Sequence, residues 1–92
     1  MKTLEEIKTV VESSPVFRFQ KTFLQNDNLT FNCDNKDLIE NISQLKRHPE
    51  LKFRQLVDIL AVDYPNREKR FEIIYLLLSH ENNLRISIKA EA

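Results

Sequence analysis

Ninety-two residues make one domain, 1–92, and a chain this short buries only about 60–65% of the surface its unfolded form exposes, which leaves little room for a deep active-site cavity. Fourteen basic side chains balance fourteen acidic ones, so the net charge is about zero, and that argues against a nucleic-acid binder working by bulk attraction to phosphates. Glycine is absent, which excludes a Gly-rich phosphate loop and the dinucleotide fingerprint.

Without glycine, positions that need positive φ fall to Asn and Asp, which tolerate it best among the other residues. The chain holds eight Asn and five Asp, many of them where turns are expected. No apolar run approaches the roughly 20 residues needed to cross a bilayer; the longest, Ile73 to Leu78, is strand-sized. The N-terminus turns acidic at Glu5-Glu6 with no apolar signal core. A soluble protein kept in a cytoplasm-like compartment is therefore expected. The single cysteine, Cys33, suits a reducing one.

In chain order, Thr3-Leu4-Glu5-Glu6 fits a capping box, with Thr3 and Glu6 exchanging hydrogen bonds. Leu4, Ile7, Val10 and Val11 follow at helical spacing, and Ser14 before Pro15 ends the segment. The pattern predicts a helix over about 4–13. Over 16–25, Phe17, Phe19 and Phe23 alternate against Arg18, Gln20 and Thr22, a strand with one wet face. Asn26-Asp27-Asn28 makes a turn, and Leu29, Phe31 and Cys33 alternate in a second strand, giving an antiparallel hairpin. Asp34 or Asn35 caps a second helix whose apolar face is Leu38, Ile39, Ile42 and Leu45. Lys46-Arg47-His48 fall in its last turn, where positive charge suits the helix dipole, and Pro49 stops it.

After a connector in which Phe53 anchors the end, residues 55–62 form a third strand. Leu56, Leu60 and Val62 alternate with Val57, Ile59 and Ala61, so both faces are apolar, as in a central strand. Asp58 interrupts that run, facing solvent, an arginine of this chain, or a partner. A charged break, Asp63-Tyr64-Pro65-Asn66-Arg67-Glu68-Lys69-Arg70, places Pro65 and Asn66 at the centre of a turn. Residues 70–79 form a fourth strand, apolar on both faces, with Phe71, Ile73, Tyr75 and Leu77 on one side and Ile74, Leu76 and Leu78 on the other. His80-Glu81-Asn82-Asn83 turns the chain into a fifth, where Leu84, Ile86, Ile88 and Ala90 alternate with Arg85, Ser87 and Lys89.

Helix–strand–strand–helix–strand–strand–strand implies an α+β two-layer sandwich, a mixed sheet with both helices on one face. Two helices of about three turns cannot cover both faces, so apolar surface is left for another chain.

Nothing forms a catalytic constellation. Cys33 has no histidine near it in sequence and reads as a small buried hydrophobe. His48 and His80 stand outside any HxxxH, HExxH or CxxC pattern. Iron–sulfur clusters take about four cysteine thiolates. Base stacking by Phe17 and Phe19, with Arg18 and Lys21 on the backbone, would make a small nucleic-acid-binding domain, but these rings read as core. A binding or scaffolding domain remains. The charged break is either a solvated hairpin tip or an arginine-rich corner that holds a partner's carboxylates.

The stretch from Phe53 onward is similar to a known family. Phe53-Arg54-Gln55-Leu56-Val57-Asp58, Val62-Asp63-Tyr64-Pro65, Arg67-Glu68-Lys69-Arg70-Phe71-Glu72, Tyr75-Leu76-Leu77-Leu78-Ser79 and Asn83-Leu84-Arg85-Ile86 resemble, in order and spacing, the C subunit of NADH-quinone oxidoreductase, respiratory complex I. The resemblance implies a scaffold subunit of the complex's hydrophilic arm that binds no cofactor of its own. It implies a complex that passes electrons from NADH through flavin and iron–sulfur clusters to quinone, coupled to proton pumping. The partners implied are the cluster-bearing and quinone-site subunits, with no nucleic acid, and with membrane contact only through the complex. That places the chain on the cytoplasmic side of a bacterial inner membrane, or the matrix side in mitochondria. A related membrane-bound hydrogenase-type complex uses an equivalent subunit. The family continues past this point with an acidic–basic segment, so the chain reads as an N-terminal portion. The residues expected to meet partners are Asp58, Asp63, Tyr64, Arg67, Arg70 and Phe71.

Overall fold

The computed structural model describes residues 2–68 and 71–91. Along them run α1 (Leu4–Ser13), β1 (Phe19–Gln25), β2 (Asn28–Asp34), a 3-10 turn (Asn35–Asp37), α2 (Leu38–Arg47), β3 (Gln55–Asp63), β4 (Phe71–Ser79) and β5 (Leu84–Glu91). The order and the α+β class are those expected from the sequence. The capping box forms: Glu6 N–H donates to Thr3 Oγ1, 3.2 Å, and Thr3 N–H donates to Glu6 Oε1, 3.1 Å. Asn26, Asp27 and Asn83 supply positive φ at the β1–β2 and β4–β5 turns, and Lys52 takes φ 51° in the connector.

The five strands form one mixed sheet in the order β1-β2-β5-β4-β3. Only β2 and β5 run parallel; the other neighbours are antiparallel. The last strand of the chain thus lies at the centre, and β3 lies at an edge. That corrects the expectation of a central β3. The apolar residues on both faces that suggested a central strand stand instead on an edge strand of the sheet.

Both helices pack on one face of the sheet. Ile7 and Val11 of α1 and Leu38 and Leu45 of α2 share a core with Leu29, Phe31 and Cys33 of β2, Leu77 of β4 and Ile86, Ile88 and Ala90 of β5. Leu51 and Phe53, both buried, fasten the connector into it. Ile39, expected on the apolar face of α2, is 74% exposed, and Asn41 is buried in its stead. The reason is a pair of hydrogen bonds. Asn41 Oδ1 accepts from Arg18 N–H at 2.9 Å and Asn41 Nδ2 donates to Arg18 C=O at 3.2 Å, so the amide closes the open backbone between α1 and β1.

Two β-bulges reset which side chains face the helices. In β1 the ladder slips between Phe19, opposite Cys33, and Lys21, opposite Asn32. Phe17 and Phe19 therefore stack toward the core, Phe19 on Phe31 at 4.8 Å, while Phe23 sits opposite Thr30 and is 48% exposed. The expectation that all three rings share a face fails there, because one extra residue reverses a period of two. In β3 the slip lies between Leu56, opposite Leu77, and Asp58, opposite Leu76. Leu56 joins Ile59 and Ala61 on the helix side, and Asp58, Leu60 and Val62 share the far side.

Candidate docking surface

The core under the helices takes its buried sheet residues from β2, β4 and β5, with Phe19 and Leu24 of β1 packed against it, and none from β3. β3 runs beyond them as a wing, and the molecule is 42 Å long against 25 and 21 Å across. None of β3 is buried, and Leu56, Val57, Ile59 and Leu60 are 40–50% exposed. These apolar side chains lie on both sides of the strand, so no single covering layer of this chain could bury them. Phe71 at the start of β4 adds a further half-exposed ring. Contiguous apolar exposure of this kind makes the wing the candidate docking surface.

The wing is held at its root. Phe53 N–H donates to Leu45 C=O at 3.0 Å. Arg54 Nη1 meets Glu81 Oε1 at 3.2 Å, and His80 Nε2 bonds Gln55 Oε1. Asn82 Nδ2 donates to the carbonyls of Glu50 and Leu51 at 3.2 and 3.1 Å. The β4–β5 turn thus clamps the connector that launches β3.

At the opposite end lies the charged corner. Arg67 N–H donates to Tyr64 C=O at 3.0 Å, closing the turn centred on Pro65 and Asn66 as the sequence predicts. The Arg67 guanidinium lies 4.3 Å from the centre of the Tyr64 ring. It also reaches across the far face of the sheet to Glu72 (3.7 Å) and Glu91 (3.3 Å). Those two carboxylates sit directly opposite each other on β4 and β5, a register in which like charges repel. Arg67 joins them, and Lys89 Nζ lies 3.2 Å from the other oxygen of Glu72. Glu72, only 8% exposed, is acceptable there because two cations face it.

Of the residues expected from the sequence, Asp63, Tyr64, Arg67 and Phe71 come together at this corner, with Asp63 and Phe71 opposite each other in the ladder. Asp58 lies five residues upstream on β3, exposed, with Oδ1 accepting from Ile59 N–H at 2.8 Å. Arg70 lies outside the described residues, as does Lys69. Arg67 already has two carboxylates and a ring of its own chain, so only part of its fork faces outward. Sequence reasoning missed Glu72, Lys89 and Glu91 as its partners; the one signal was a glutamate at the head of an apolar strand. It also missed that the exposed apolar set centres on Ile59 and Leu60.

Among the described residues no three His, Cys, Asp or Glu side chains are grouped as metal ligands, and no helix is long and apolar enough to cross a membrane. Burial pushes the Cys33 thiol above its ordinary value of 9.0, against a hydrogen bond from Asn41. A lone, buried, protonated thiol does not fit an iron–sulfur ligand set.

The segment 31–92, which carries the whole of this surface, matches the family model described as "Respiratory-chain NADH dehydrogenase, 30 Kd subunit". The NADH-quinone oxidoreductase C subunit of Mesorhizobium japonicum is 31% identical over 90 residues, covering 98% of this chain and 45% of that protein. Its counterpart in Methylobacterium radiotolerans is 43% identical over 63 residues, 68% of this chain and 29% of that one. The chain thus spans less than half the length of these curated relatives. Among solved structures, a chain of an archaeal respiratory membrane complex, the membrane-bound sulfane sulfur reductase, superposes with a TM-score of 0.73 at 23% identity over 95% of this chain and 48% of its own, a likeness of fold. With two thirds of its length inside the family model and the fold intact around that segment, the chain belongs to the family of the respiratory-chain NADH dehydrogenase 30 Kd subunit.

Proposed function

We propose that the chain is a non-catalytic scaffold subunit in the hydrophilic arm of a proton-pumping NADH:quinone oxidoreductase, docked through the β3 wing. The observation that carries this reading is an edge strand whose apolar side chains are 40–50% exposed on both faces. Such a strand is stable in water only at a cost of unburied apolar area, about 25 cal/mol for each Å², and a heterologous partner recovers it. The iron–sulfur clusters of the complex are assigned to other subunits, because this chain offers a single buried thiol, and NADH, flavin and quinone are assigned with them on the strength of the family resemblance. The partners are the cluster-bearing and quinone-site subunits, and the chain reaches the membrane only through them. It lies on the cytoplasmic side of a bacterial inner membrane, or the matrix side in mitochondria.

A tagged chain expressed in its own cells is expected to co-purify with the oxidoreductase subunits. Recovery of the tagged chain without them sinks the reading. The fold match to a chain of the sulfane sulfur reductase complex favours one alternative, a scaffold in a related membrane-bound complex. The large subunit found in the co-purified material separates the two.

A further inference from the structure

The free edge of β3 is a template for another strand. At the other edge of the sheet, β1 carries Lys21 beside a bulge at Gln20. β3 has neither lysine nor proline between Gln55 and Asp63. Apart from Asp58, residues 56–62 are all apolar: Leu56, Val57, Ile59, Leu60, Ala61 and Val62. An apolar residue at 58 would complete a seven-residue run without charge, proline or glycine, rich in strand formers. That length and composition suit stacking with identical strands of other chains. A second copy of this chain is therefore the partner that the bare edge favours.

Two features oppose it, both at the middle of the strand. Asp58 Oδ1 accepts the Ile59 N–H at 2.8 Å, so that donor is already occupied and is not offered to an incoming strand. Val57 is the extra residue of the bulge between Leu56 and Asp58, which bends the edge locally and interrupts the even spacing a straight partner strand needs. The bulge also turns Asp58 to the side away from the helices, among Leu60 and Val62. There its carboxylate makes no ion pair among the described residues. In an antiparallel pairing of two β3 strands centred near this residue, the two carboxylates would lie opposite each other, a repulsive register.

We propose that Asp58 guards the β3 edge against pairing with the β3 of a second copy, keeping the wing monomeric and leaving its side-chain faces to a different protein. The carboxylate does so by occupying the Ile59 N–H and by carrying charge into the one apolar strand edge that lacks a lysine or proline.

The test uses the purified full chain and needs no partner complex. Wild type, Asp58→Val and Asp58→Asn are compared by sedimentation velocity over a dilution series, and by hydrogen exchange at the amides of residues 56–62. Wild type is expected to remain monomeric with fast exchange at the wing. Asp58→Val is expected to associate at least about tenfold more tightly, with exchange along 56–62 slowing as concentration rises. Asp58→Asn keeps an oxygen for the Ile59 N–H and is expected to associate more weakly than Asp58→Val. The proposal is overturned if Asp58→Val stays monomeric, if wild type pairs through β3 as tightly as Asp58→Val, or if Asp58→Asn matches Asp58→Val. Should Asp58→Val precipitate before measurement, Asp58→Ala removes the same acceptor with less added apolar surface and carries the same expectations.

Discussion

Asn41 shows how one buried polar side chain can fix a connection. It takes a place on α2 that periodicity would give to an aliphatic residue, and it holds both backbone groups of Arg18. Asn41→Ala removes the side-chain partner of the part-buried Arg18 N–H and C=O and is expected to cost about 1 kcal/mol, read as a lower urea midpoint at unchanged slope. An unchanged midpoint would mean that water satisfies Arg18 instead. Arg67 acts on the surface. Removing it leaves Glu72 and Glu91 opposed, with Lys89 the one cation left on Glu72 among the described residues. Arg67→Ala is expected to lower stability by about 1 kcal/mol, less at high salt because the pairs are partly exposed. A loss that does not change with salt would assign the effect to packing on Tyr64. Neither role was legible in the sequence, because both depend on residues brought together from distant positions.

The elements themselves were legible. α1 has the bounds that its cap and its proline set, and the turns at Asn26-Asp27, Pro65-Asn66 and Asn82-Asn83 fall where turn residues cluster. The cap carries a pH dependence. Hydrogen bonds from the Thr3 backbone, then its hydroxyl, hold the Glu6 carboxyl below its ordinary value of 4.5. A depressed carboxylate contributes stability above its unfolded value and loses it as the pH falls through the folded one. The first turn of α1 is therefore expected to fray below pH 4.5, seen as faster exchange of the Thr3 and Glu6 amides. Glu6→Gln should abolish that acid dependence; its persistence would place the titrating group elsewhere. What the period of two could not reveal were the bulges at Gln20 and Val57. A bulge leaves no compositional mark, yet it reverses the face of every residue beyond it. Phe23 and Leu56 changed sides for that reason alone.

At the scale of the whole molecule, the sheet order decides what is exposed. β5 enters between β2 and β4, and β3 is left outside the cover of the helices. Ile59 and Leu60 are 50% and 44% exposed, so Ile59→Lys or Leu60→Lys should leave the melting temperature of the isolated chain within a few degrees of wild type, as surface changes usually shift stability by only about 0.5 kcal/mol. The same substitutions should cut recovery of the oxidoreductase subunits at least about tenfold, as expected for losing an apolar anchor at an interface. Unchanged recovery would remove the wing from the docking surface and direct attention to the Tyr64–Arg67 corner. Slow alkylation of Cys33 in the native chain, matched to the global unfolding rate, would confirm that the core under the helices stays closed while the wing is bare.

The sequence alone determined the class of fold, the order of its elements, the cap of α1, the turns, and an excess of apolar strand surface over what two helices can cover. These follow from local periodicity and from composition, which act over a few residues. The α2 cap expected at Asp34 or Asn35 was misplaced: Asp34 instead accepts from Lys36 N–H to cap the 3-10 turn, and α2, with Asp37 at its N-cap, has no side-chain cap. Only the tertiary structure decided that the excess collects on β3, that two bulges choose its faces, and that Arg67 joins two glutamates. Strand order and register are set by long-range pairing, in which many arrangements share the same local pattern. The choice among them rests on burying Phe31, Leu77 and Ile88 together under the two helices, a condition that no single segment contains.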